Sequence, residues 1–311
     1  MVLPNKISMI VITFLGTVSG IPTLDRNHPA IVVEHYTNKR DVLLFDCGEG
    51  TQKQLMKAGI SFMQISKIFI THWHADHFAG LIPMIQTMNL EKRKKPLIIY
   101  GPEAEKFVSN ILDLGYFGVR FPIESRNIDF EGSEIKKIDE GEEYEIYAVP
   151  AYHTVPAVAY CFKEKDRWNI DEKKLEKLGL KKGSWLRKLK KDSQYQLKDR
   201  LVKKEEVGYV KKGLKIVYSG DTKPHKNILN LSKDADVLIH DGTFLEEDVS
   251  GKYHSDVKKA AELAKQAGVK QLVLTHISRR YTDTKELEEQ AKKVFDNVVI
   301  AKDMMKIVLK N

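Results

Sequence analysis

The stretch Lys67-Ile68-Phe69-Ile70-Thr71-His72-Trp73-His74-Ala75-Asp76-His77 places four metal-ligand side chains in six positions, directly behind an apolar run. Ile68 and Ile70 read as a short buried strand, so His72 and His74 can project from one side of the extended turn that follows. Asp76 and His77 open an amphipathic stretch that runs through Ile85. An acidic side chain also suits a helix N-terminus, where it offsets the dipole, so Asp76 has a second reading that is compatible with ligation. Imidazole and carboxylate are the ligands of hydrolytic zinc, and three His plus one Asp exceed the needs of one open site once distant ligands join. The spacing therefore hints at two metals.

Outward from this loop, strands and helices alternate in the manner of a layered α/β protein. Apolar runs predict strands over 9–14, 30–35, 42–45, 67–70, 97–100, 144–149, 158–162, 214–218, 237–239, 271–274, 298–300 and 305–309. Helical periodicity predicts helices over 51–58, 76–88, 103–112, 255–266 and 284–294. Three more ligand types sit where predicted strands end. His153 follows Tyr147-Ala148-Val149-Pro150-Ala151-Tyr152, Asp221 follows Ile216-Val217-Tyr218-Ser219-Gly220, and His276 follows Leu272-Val273-Leu274-Thr275. One polar residue capping a strand is unremarkable. Three of them are what a site at one edge of a β-sandwich requires.

At 311 residues the chain is long enough for one large or two modest domains with a sizeable core. No run approaches the roughly 20 apolar residues of a membrane span. The apolar positions 7–12 are short and lack a cleavage-like sequel, so they read as a first strand and not as a signal peptide. Cys47 and Cys161 belong to no paired motif, which predicts ordinary core thiols in a reducing, cytoplasmic compartment. The formal charge of +8 is unevenly placed. The segment 163–212 holds 18 Lys or Arg against 9 Asp or Glu, a balance of +9, and the remainder of the chain is at −1. Low apolar density there interrupts the α/β rhythm, so it reads as an insertion protruding from the body. A lysine-rich surface can be a solvated face. It is also what a polyanion-binding arm needs, because each phosphate contact releases counterions. Trp168, Trp185 and Tyr195 within it could stack on bases or anchor the arm.

His-x-His-x-Asp-His after a strand resembles the signature loop of the metallo-β-lactamase superfamily. The resemblance implies an α/β fold of αββα sandwich type over 1–311, with 163–212 as an inserted basic arm, and two zinc ions per subunit. It implies that His72, His74 and His153 hold one metal, Asp76, His77 and His276 the other, and that Asp221 bridges. Asp221 at the bridging position argues against a lactamase, which would carry Cys there, and five intact His argue against the redox di-iron members. Further segments resemble the ribonuclease Z family of tRNA 3′-processing endonucleases. Phe45-Asp46-Cys47-Gly48-Glu49-Gly50-Thr51-Gln52 is similar to that family's first motif, which supports the metal loop from behind. Pro22-Thr23-Leu24-Asp25-Arg26-Asn27 is similar to its Pro-x-Lys-x-Arg-Asn loop, with Leu24 in place of Lys. His240-Asp241-Gly242-Thr243 matches its His-Glu-Ala-Thr segment with an Asp one methylene shorter, and His254-Ser255-Asp256 resembles its His-Ser-Thr segment. Leu178 to Trp185 resembles the tip of the family's tRNA-gripping arm, with Ser184 in place of Pro.

This resemblance implies precursor tRNA as substrate, a homodimer in which one subunit's arm grips the tRNA cut by the other, and no membrane partner. It implies that Asp76 orients the attacking water and that His254, oriented by Asp241, protonates the leaving 3′ oxygen. His254 also reads as a helix-capping neighbour of Ser255, and Asp241 as strand-end turn chemistry. Arg26, Asn27, Ser278 and Arg280 are the candidate RNA contacts. Two other functions fit the same ligands: a phosphodiesterase for small or cyclic nucleotides, which would not need the arm, and a non-catalytic RNA-binding metalloprotein. Structural zinc sites are usually closed and Cys-rich, which counts against the latter.

Overall fold

In the computed structural model, residues 8–114, 118–197, 200–248 and 253–311 are described. Two seven-stranded sheets stack face to face. The first is ordered Lys306–Lys310, Met9–Gly16, Ala30–Tyr36, Arg40–Phe45, Ile65–Phe69, Leu97–Gly101, Ile123–Asn127, and the second Val298–Ile300, Gln271–Thr275, Val237–Asp241, Lys215–Tyr218, Val158–Glu164, Tyr144–Pro150, Lys136–Glu140. The two-residue period of a strand sorts side chains into separate layers. Ile31 and Val33 enter the core between the sheets with Ile10, Ile12, Tyr160 and Val273. Ala30 and Val32 point the other way, into a core with residues of helices Thr51–Ala58, Leu81–Leu90 and Ala104–Asp113. A third core packs the second sheet on helices Lys226–Ser232, Val257–Ala267 and Lys285–Lys292. Strands buried on both faces read as continuous apolar runs, which is why the central ones were visible in the sequence. The result is the helix–sheet–sheet–helix sandwich that the resemblance implied.

Three differences from the sequence reading have clear causes. The outer strands Ile123–Asn127 and Lys136–Glu140 are half exposed and carry Glu124, Arg126, Lys136 and Lys137, the charged composition that guards sheet edges and hides them from a hydrophobicity scan. The helix expected over 76–88 is broken into Ala75–Phe78 and Leu81–Leu90. The break lies where the backbone of Cys47 crosses, donating to the His77 carbonyl at 2.7 Å and accepting from Gly80 N–H at 2.9 Å. A Cβ on Gly80 would lie 2.1 Å from the Gly48 carbonyl oxygen.

The third difference concerns the basic segment. It leaves the second sheet after Val158–Glu164 and returns at Lys215–Tyr218, and these two strands are antiparallel neighbours with Lys163 opposite Lys215. Arg167–Ile170 pairs with Gly208–Lys211 as a two-stranded stem. Beyond it, helices Glu172–Lys177 and Trp185–Asp192 and the hairpin Gln194–Leu197/Arg200–Lys203 close on a core of Leu175, Trp185, Leu186, Leu189, Val202 and Val207. Apolar residues are thus sparse but gathered on one face. Trp168 and Trp185 donate their indole N–H groups to the carbonyls of Lys204 and Lys181, so both work as anchors.

Because the Gly80 contact is backbone on backbone, Gly80→Ala is expected to cost about 1–3 kcal/mol through overpacking. Thermal unfolding checks this, and metal content should fall with it because the displaced segment begins one turn after His77.

Candidate metal centre and its carboxylate supports

Every candidate ligand lies just past a strand, at one edge of the sandwich: His72 to His77 after Ile65–Phe69, His153 after Tyr144–Pro150, Asp221 after Lys215–Tyr218 and His276 after Gln271–Thr275. His72 Nε2 lies 3.0 Å from His74 Nδ1, which lies 3.1 Å from His153 Nε2. Beside this triangle, Asp76, His77, Asp221 and His276 converge. Asp221 touches both groups, with Oδ2 at 3.9 Å from His72 Nε2 and 3.0 Å from His276 Nε2, and Oδ1 at 3.3 Å from His77 Nε2. Asp76 Oδ2 is 3.6 Å from His77 Nε2 and 3.5 Å from His276 Nε2. Gly220 brings Asp221 here: its φ of +60° suits glycine, and a Cβ would strike Thr71 at 2.7 Å.

The donor atoms fit a cation. His77 Nε2, His276 Nε2 and Asp221 Oδ1 are buried without a well-formed hydrogen bond, although each histidine nitrogen lies within ion-pair distance of the Asp221 carboxylate. Buried polar atoms left in that state are expensive unless an ion satisfies them. The fold and these His/Asp clusters together make a metal site. Its protonation without metal is telling. Burial depresses His77, but Asp221, Asp46 and Asp76 outweigh it and hold the ring well above the usual histidine range. Burial opposes Asp221 and Asp76 at His276 as well, and the net result is a rise to about 10. His72 goes the other way, kept low by burial and then by the neighbouring His77.

Two buried carboxylates aim the rings. Asp46 accepts from Thr71 N–H at 2.7 Å, from the Tyr218 hydroxyl at 2.7 Å and from His77 Nδ1 at 2.8 Å, and Thr71 Oγ1 meets His72 Nδ1 at 3.1 Å. Asp241 accepts from His254 Nδ1 at 2.9 Å and from Thr243 Oγ1 at 2.6 Å, and that hydroxyl meets His276 Nδ1 at 3.0 Å. Each carboxylate thus fixes one ring directly and a second through a threonine, and in all four cases Nε2 is left toward the site. The supporting role of Asp46 came from the motif resemblance, and Thr243 and Tyr218 fall in segments that resemble the family, but the sequence assigns no role to these two or to Thr71. His254 lies against the centre, its ring stacked on His276 at 5.2 Å between centroids and edge-on to His153 at 5.2 Å. Burial lowers its pKa, yet the hydrogen bond and charge of Asp241 leave it raised. The helix that follows is capped by Asp256, which accepts from Lys259 N–H, and not by His254.

The four candidate RNA contacts are placed differently. Arg26 Nη1 donates to Thr17 Oγ1 and the Ala301 carbonyl, and Asn27 Nδ2 donates to the Glu49 carbonyl, so these bonds fasten their loop to the body. That loop reaches the centre through Gly20, whose N–H donates to Asp76 Oδ2 at 3.0 Å. Ser278 pairs with Ser19 in a short parallel ladder. The Arg280 guanidinium covers the Phe244 ring at 5.0 Å.

Two measurements test this geometry. Asp46→Ala removes the acceptor that aims His77 and Thr71, and chelator competition should show metal affinity lower by about 10–100-fold. Raised His77 and His276 hold protons that a cation must displace. Metal titration of the stripped protein in buffers of different ionisation enthalpy should therefore show proton release near pH 7, and an affinity that climbs with pH by up to about tenfold per unit per proton. Uptake without proton release would contradict the protonation described above.

A model of the Anti-Pycsar protein Apyc1 matches residues 10–146, and a model of the Beta-lactamase superfamily domain matches 190–277. Ribonuclease Z of Methanosarcina mazei is 42% identical over 96% of this chain and 98% of its own, and Ribonuclease Z of Pyrococcus abyssi is 41% identical over 97% of each. Among solved structures, human tRNase Z, short form, superposes with a TM-score of 0.66 at 27% identity over 96% of this chain and 98% of its own. With identity above 40% along almost the whole length, and a metal centre at the sandwich edge, the chain belongs to the ribonuclease Z family.

Proposed function

We propose that the protein is a zinc-dependent endoribonuclease that removes the 3′ trailer from precursor tRNA, leaving a 3′-hydroxyl on the tRNA and a 5′-phosphate on the trailer. The observation that carries this reading is the His254–Asp241 pair set against the ligand cluster, because a metal-binding protein without chemistry to perform has no use for a buried carboxylate holding a histidine beside the ions. The relatives' name, Ribonuclease Z, supports the same reading. Two zinc ions would be held by His72, His74 and His153 and by Asp76, His77 and His276, with Asp221 between; ions so placed acidify water and offset charge on a phosphodiester oxygen.

The side chains then divide the work. Asp76, with one oxygen held by Gly20 N–H, orients the attacking water. His254 donates a proton to the leaving 3′ oxygen; burial opposes its charged form, but the hydrogen bond and charge of Asp241 outweigh that and favour the protonated ring. Asp241 fixes the donor's orientation and balances its charge. Arg26 and Asn27 contribute by holding the Gly20 loop in place, Ser278 and Arg280 by meeting phosphate. The basic segment 163–212 grips the body of the tRNA, its Lys181, Lys182, Lys188, Lys190 and Lys191 all exposed. The working unit is a homodimer in the cytoplasm, a setting supported by two buried free cysteines. Among the described residues no helix is long and apolar enough to cross a membrane. The +9 segment favours this reading over a small-nucleotide phosphodiesterase, which gains nothing from it.

A labelled precursor tRNA should be cut at the 3′ boundary, and chelator should abolish the cut. His254→Ala should lower the single-turnover rate by about 10²–10⁴ while zinc content stays unchanged. An undiminished rate would remove His254 from the chemistry. Replacing the five exposed lysines by Gln should weaken precursor binding and flatten its dependence on salt, the slope falling by up to about 0.7–0.9 for each phosphate no longer neutralised.

A further inference from the structure

An aromatic and cationic cluster beside the metal centre takes no part in the chemistry above. Tyr152 precedes His153 and is 41% exposed. Its ring is nearly parallel to Tyr253, at 5.7 Å and 18°, and to His225, at 6.2 Å and 26°. The ammonium of Lys223 lies 4.0 Å from the Tyr152 ring centroid. Tyr253 in turn stands edge-on to His153, and it directly precedes His254.

The cluster is built, not incidental. Thr222 Oγ1 accepts from Tyr152 N–H at 3.1 Å and lies 3.2 Å from the Tyr152 carbonyl, which locks that turn to the loop carrying Asp221 and Lys223. Thr222 N–H is itself tied to Asp241 at 3.2 Å. His225 is held as the cap of helix Lys226–Ser232, its Nδ1 accepting from Asn227 N–H. Three loops therefore present flat rings and a cation at a fixed place, referenced to the carboxylate that aims His254. Exposed tyrosine rings near a cation bind nucleobases by stacking, without regard to sequence, and the ammonium suits the attached phosphate.

We propose that Tyr152, Tyr253 and Lys223 form a nucleotide subsite that takes the base on the tRNA side of the cut, the nucleotide whose 3′ oxygen His254 protonates. The assignment of side follows from Tyr253 and His254 being chain neighbours, and it rests on the endonuclease reading above. The base lies on Tyr152 as the lysine swings from the ring to the phosphate. The subsite accepts any base, and it holds the last tRNA nucleotide still while the strand is cut.

The test pairs enzyme variants with substrate variants. Precursor tRNA is made intact, with an abasic residue just 5′ of the cut, or with one just 3′ of it, and kcat/KM is measured for the unmodified enzyme, Tyr152→Ala and Tyr152→Trp. The 5′ abasic residue should cost the unmodified enzyme about fivefold to a hundredfold, the range of one missing base stack. Tyr152→Ala should lose a similar factor on the intact precursor and nothing further on the 5′ abasic one, and Tyr152→Trp should restore the loss. Losses that multiply, or coupling to the 3′ abasic residue instead, would overturn the subsite while leaving the endonuclease reading intact. Failure of the unmodified enzyme to cut intact precursor would overturn both.

Discussion

The metal centre depends on two carboxylates that never reach it. Asp46 and Asp241 are both fully buried, and burying a charge is tolerable only where hydrogen bonds surround it. Each finds its donors in the same combination: a backbone N–H, a threonine hydroxyl and a histidine ring. The donors solve the carboxylate's problem, and the carboxylate fixes which nitrogen of each ring faces outward. The Nε2 atoms of His72, His77 and His276 are thereby turned toward the site before any ion arrives. Such preorganisation is what separates a site from a coincidence of ligands.

The two supports also tie the sheets together. Asp46 follows a strand of the first sheet, yet it accepts from Tyr218 of the second. Asp221, which touches both ligand groups, comes from that same second-sheet strand through Gly220, packed against Thr71 of the first. Stability and site geometry are therefore not independent here. Changes at the sheet interface near Tyr218 act on ligand positions as well as on packing.

Much of this was legible in the sequence, for identifiable reasons. The ligands end apolar runs, so strand periodicity placed each at a strand end, and the charge count located the basic segment. Motif resemblance then sorted ligands that spacing could not sort. What stayed hidden has equally physical causes. Edge strands such as Lys136–Glu140 look like loops because half their residues face water. The break between Phe78 and Leu81 depends on a chain crossing from residue 47, which no local pattern encodes. Thr71, Thr243 and Tyr218 each reach a partner distant in sequence, Asp46, His276 and Asp46 respectively, and hydroxyls are too common to stand out.

The inserted segment poses a related problem, how to hold a cluster of cations at a constant place on the sandwich. Its root answers it. Glu164 ends the strand from which the segment departs, and it is fully buried. It accepts from His35 at 2.8 Å, from Arg167 at 3.3 Å, from Leu214 N–H at 3.2 Å and from Asn311 at 2.9 Å. Burial alone would raise its pKa, but these bonds, led by His35 and Asn311, hold it at about 2. The carboxylate stays charged and stays put through any physiological range. It binds both ends of the insertion to the first strand-layer and to the last residue of the chain. The basic segment is thus held relative to the ligand cluster by a fixed joint.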